Sequence, residues 1–118
     1  MILKLRSLIA AALLLLASAA PAAAYEVFVS VDDYMAASRE ERLSFLAGVY
    51  DTFSTVQDAG LFSSQDLSST VERIIDCTSR MNLNEMETLF TAWLKKHREE
   101  WDSAAASLFV FTFDDYCK

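Results

Sequence analysis

Beyond Pro21 the chain contains no proline, and its only glycines are Gly48 and Gly60. A small strand-rich domain needs turn residues every ~8 to 12 positions. This scarcity therefore points to helices joined by short polar connections. The start signals agree. Ser30-Val31-Asp32-Asp33 opens a short helix through Ala36, and Ser38-Arg39-Glu40-Glu41 is a capping box for a second helix over Arg39 to Asp58. Leu43, Leu46, Ala47, Tyr50, Phe53 and Val56 recur on that helix at three- and four-residue steps, the pattern of one buried stripe. Gly60 suits its end, because a left-handed cap costs glycine nothing.

A third helix is expected over Gln65 to Thr78, with Leu67, Val71, Ile74 and Ile75 inward. Asn82-Leu83-Asn84-Glu85 opens a fourth, whose apolar face is Met86, Leu89, Phe90, Trp93 and Leu94. Lys95, Lys96, His97 and Arg98 close it where cations complement the helix dipole. From Glu99 to Tyr116, Trp101, Ala104, Ala105, Leu108 and either Phe111 or Thr112 follow a helical stripe, and Glu99, Glu100 and Asp102 suit a helix start. Leu108 to Phe113 alone reads as a strand, but a lone strand would have no partner here. The expected fold is all-α, a compact bundle of four to five helices in one domain over residues 25–118.

Residues 1–24 read as a cleaved export signal. Lys4 and Arg6 precede the apolar run Leu8 to Ala17, and Ala22-Ala23-Ala24 supplies the small residues a signal peptidase needs. The apolar run is too short for a membrane span, and no cysteine lies near the cleavage region to take a lipid. The expected product is periplasmic, with no stable membrane anchor.

Cys77 and Cys117 are the only cysteines. An even pair in an exported chain points to one structural disulfide, which the chain-entropy account values at roughly 4 kcal/mol for a loop of this length. Without Lys4 and Arg6, 8 basic side chains face 17 acidic ones, a net charge of −9. Nucleic acid and anionic lipid both need a basic face, so a basic protein surface is the easier partner.

A single histidine, His97, gives little material for a catalytic triad. His97 is read as a helix cap, Asp114-Asp115 as a solvated end, and Trp93 and Trp101 as core anchors. Spaced zinc or calcium ligands and a phosphate-cradling loop are missing. No enzyme activity, metal or cofactor is expected.

The order of features from Cys77 to Cys117 resembles the Tai/Rap family of periplasmic immunity proteins that protect Gram-negative cells from type VI secretion amidase effectors. The features are a cysteine, an aromatic-Leu pair at Trp93-Leu94, a His-x-Glu turn at His97-Arg98-Glu99, an alanine-rich stretch and a closing cysteine. Upstream, Phe45-Leu46-Ala47-Gly48-Val49-Tyr50-Asp51 is similar to that family's aliphatic-Gly-Val-x-Asp helix. The chain lacks the family's second cysteine pair, and Arg98 stands where proline often follows the histidine. The resemblance implies an exported, disulfide-clamped binding protein that occludes a secreted effector, and it also implies a homodimer. Two other readings fit an exported helical domain: an acid-stress chaperone of the Hde type and an envelope accessory subunit.

An acidic, partly aromatic surface around Tyr50, Asp51, Asp58 and Phe62 is the expected partner-binding region. Leu61 and Phe62 follow the helix stop, where they either fold back as a cap on the core or stand out as an anchor.

Overall fold

A computed structural model describes residues 28–118, and the expected export signal lies outside them. Among the described residues five α-helices follow in order: α1 (Val31–Ala36), α2 (Arg39–Asp58), α3 (Gln65–Thr78), α4 (Leu83–Lys96) and α5 (Ala105–Tyr116), with one 3-10 turn at Arg98–Glu100 between α4 and α5. The fold is all-α and one disulfide clamps it.

Side-chain caps start the first four helices. Ser30, Ser38, Ser64 and Asn82 each accept a hydrogen bond from the backbone N–H three residues on, and at Ser38 the Glu41 carboxylate returns the bond. Such caps satisfy orphan donors worth about 1 kcal/mol each. At the end of α2, Gly60 takes φ 68°. Its N–H reaches the Gln57 carbonyl and that of Leu61 reaches Val56, which is the Schellman pattern.

α5 starts differently. Ala104 has no side-chain cap, and the Ala105 N–H is instead taken by the Val29 carbonyl at 2.9 Å, beside a β-bridge between Ser30 and Ala104. The continuous helix expected from Glu99 is thereby corrected. The chain leaves α4 through the 3-10 turn, and Trp101 folds back so that its indole N–H donates to the Leu94 carbonyl at 2.8 Å. His97 is the C-cap of α4, with its Nδ1 2.8 Å from the Trp93 carbonyl. Two terminal carbonyls of α4 are satisfied in this way.

α2 and α3 are antiparallel: Tyr50 meets Ile75 while Gln57 meets Ser68. α5 runs beside α3 in the same direction, joined by Arg73 to Asp114 and by Cys77 to Cys117 at a Cα–Cα distance of 5.9 Å. The core is filled by Val31, Tyr34, Leu46, Ile74, Met86, Phe90, Leu94, Leu108, Phe109 and Phe113. An aromatic chain crosses it. Phe45 meets Tyr34, Tyr34 meets Phe90, Phe90 meets Phe109, and Phe109 stacks on Phe53.

The buried stripe of α2 is rotated from the expected one. Leu46 is buried, with Phe45, Val49, Tyr50 and Phe53 against the core, whereas Ala47 is exposed. The aromatic chain draws Phe45 and Phe53 inward, and alanine loses little by facing water.

Candidate functional site

With Phe45, Val49 and Phe53 turned toward the core, the opposite side of α2 becomes a ridge in solvent. Glu40, Ser44, Ala47, Gly48, Asp51, Thr52, Thr55 and Asp58 are all exposed. Asp51 and Asp58 lie seven residues apart, about two turns, and therefore share one side of the ridge. Neither forms an ion pair among the described residues. The cations of α2, Arg39 and Arg42, are turned to Glu87 on α4. From residue 43 to 72 the chain carries no Lys or Arg. The ridge is thus an acidic surface with no positive charge from its own helix. Asp58 also sits at the negative end of the α2 dipole, a placement that costs a few tenths of a kcal/mol or more.

A groove lies on each flank. The first, of about 410 Å³, is formed by Ala47, Tyr50, Asp51 and Ser54 of α2, Thr78 and Ser79 at the end of α3, and Met81, Leu83 and Met86 at the start of α4. Tyr50 is held at its wall. Its hydroxyl donates to the Ile75 carbonyl at 3.4 Å and lies 3.5 Å from the Thr78 hydroxyl. The second groove, also about 410 Å³, has Phe45, Val49 and Phe53 on its floor, with Ser44, Gly48, Thr52 and Ala106 around it. It contains no ionisable side chain. The Thr52 hydroxyl bonds back to the Gly48 carbonyl at 2.8 Å, so this donor is already used within the helix.

The four expected partner-binding residues divide into two places. Tyr50 and Asp51 line the first groove. Asp58 lies at the end of α2, about 10 Å along the helix from Asp51, and Phe62 follows in the loop beyond it. Phe62 is half-buried and stacks on Phe53 at 6.3 Å, which extends the aromatic chain to the helix stop. Leu61 is the side chain that stands out, 73 % exposed.

Three acids outside the ridge, Glu87, Asp114 and Asp115, are engaged in structure. Glu87 is 3 % exposed and accepts from Arg42 Nε at 3.0 Å and from the Thr91 hydroxyl at 3.0 Å, with Arg39 at 3.3 Å. Sequence periodicity did not single it out, although it stands on the same stripe as Phe90 and Leu94. Tyr34, next to this cluster, is held above its usual phenol range by burial. Trp93 stacks on His97 at 3.9 Å and donates its indole N–H to Asp115 at 3.1 Å. That bond holds the Asp115 carboxyl below its ordinary range. Asp114 pairs with Arg73, so the acids at the end of α5 are tied to neighbouring helices rather than merely solvated.

Among the described residues no group of three His, Cys, Asp or Glu side chains is placed to hold a metal ion, and no helix is long and apolar enough to cross a membrane. The chain matches no family model, no curated protein and no solved structure.

Proposed function

We propose that this chain is an exported binding protein that works by affinity alone, occluding a basic protein partner, and that the partner is a secreted effector of the amidase type. The observation that carries the reading is the cation-free acidic ridge of α2, with Asp51 at the edge of one of the two grooves that flank its middle and Asp58 at its far end, neither in an ion pair. A surface that only kept the protein soluble would have no need of an aromatic-floored groove on the flank opposite its acids. Charge on such a ridge steers encounter, while apolar side chains seated in the grooves supply most of the affinity.

The test is charge reversal. Asp51→Lys with Asp58→Lys is expected to abolish protection of cells that express a neighbouring effector gene, and to weaken binding of the purified effector by at least tenfold. Circular dichroism should remain that of the wild type, since neither side chain holds the fold. Wild-type protection by the double variant would refute the reading.

A further inference from the structure

Gly48 occupies the middle of α2, where glycine is the poorer choice by roughly the helix-propensity difference from alanine. Nothing among the described residues explains it. Its φ is not positive, and a Cβ at this position would meet none of their atoms within 4 Å. No turn or close internal approach requires glycine there. What its missing side chain does provide is a low point on the exposed ridge, at the lip of the apolar groove floored by Phe45 and Val49.

At about 100° per residue, Phe45 and Val49 lie on one flank of Gly48, and Glu40, Asp51 and Asp58 lie on the other. The surface is therefore apolar on one side of a low crossing point and anionic on the other. An antiparallel second copy of the chain fits it poorly, because like flanks would meet and Glu40 of one copy would lie against Asp58 of the other. A cationic partner has no such conflict.

We infer that this groove seats a helix of a basic protein, whose main chain crosses α2 at Gly48 with its apolar side over Phe45 and Val49 and its Lys or Arg side chains along Asp51 and Asp58. The inference rests on the reading of α2 as the docking face, and it adds the kind of element bound and the point of closest approach. It also accounts for the glycine, which gives up stability in the free protein to let two backbones come together.

The two effects of filling Gly48 should have opposite signs. Gly48→Ala should raise the melting temperature of the free protein by about 2 to 8 °C. Binding is read by fluorescence anisotropy with a labelled amphipathic peptide of Leu, Ala and Lys, about 20 residues long to match the ~30 Å of α2. The wild type should bind it saturably. Gly48→Ala should bind several-fold more weakly and Gly48→Leu at least tenfold more weakly, with neither variant less thermally stable than the wild type. Asp51→Asn with Asp58→Asn should weaken binding and flatten its salt dependence.

Equal affinity of Gly48→Leu and wild type would overturn the inference. If the acid variants still weaken binding in that case, the α2 docking face survives and only the crossing at Gly48 fails. If both sets bind as the wild type does, or the wild type does not bind, both fall. A wild type that sediments as a dimer while Gly48→Leu is monomeric would also overturn it, in favour of a second copy as the occupant.

Discussion

Glu87 and its two arginines look equivalent on a list of ion pairs, yet exposure separates them. Arg42 is 19 % exposed and Arg39 53 %, against 3 % for Glu87. Removing Arg42 leaves a buried carboxylate with only the solvent-exposed Arg39 and the Thr91 hydroxyl, so Arg42→Ala should cost about 3 kcal/mol in denaturant unfolding. Arg39→Ala removes a solvent-screened partner and should cost under about 1 kcal/mol. Equal losses would show that burial is not what sets the value. Tyr34 gives a pH signature beside it. Its phenol is raised by burial, so the native state keeps a proton that the unfolded chain loses above about pH 10. The stability it contributes is complete below that pH and falls as pH rises toward the native value. Thermal melts between pH 8 and 11 should show the decline, and Tyr34→Phe should reduce it. The Glu87 cluster was readable only in hindsight. The acid lies on the stripe shared with Phe90 and Leu94, but its cations are 45 and 48 residues away in sequence, beyond any local pattern.

At the scale of elements, helices with local caps were legible to the residue. Ser38 with Glu41, and Asn82 with Glu85, mark the starts of α2 and α4, and Gly60 marks the end of α2. The start of α5 was not legible, because its capping group is the carbonyl of Val29 at the opposite end of the described chain. Acids at Glu99, Glu100 and Asp102 imitated a helix start that the Trp101 bond to Leu94 prevents. Trp101→Phe keeps most of the ring and deletes only that donor. It should lower stability by about 1 kcal/mol, or roughly 4 to 8 °C in melting temperature. An unchanged melting temperature would remove the indole bond from the account of how α4 ends. The acidic region of the candidate site was visible as a cation-free stretch, but the two grooves were not, since each depends on a rotation of α2 set by contacts with α1 and α5.

For the whole molecule, the disulfide ties α3 to α5 beside the Arg73 to Asp114 pair. Replacing Cys77 and Cys117 with alanine should lower stability by about 2 to 5 kcal/mol, a large part of the ~5 to 10 kcal/mol usual for this size. A smaller loss would mean that helix packing alone fixes α5. Neither cysteine lines a groove beside α2, so partner binding should survive their replacement at temperatures where the variant stays folded. Acids also occur outside α2, at Glu99, Glu100 and Asp102 after α4, and the claim that α2 carries the docking face is the one on which function turns. Zero-length carbodiimide cross-linking of the complex with the proposed basic partner, read by mass spectrometry, addresses it directly. Links from Asp51 and Asp58 to partner lysines are the predicted result, and links confined to Glu99, Glu100 and Asp102 would contradict the account.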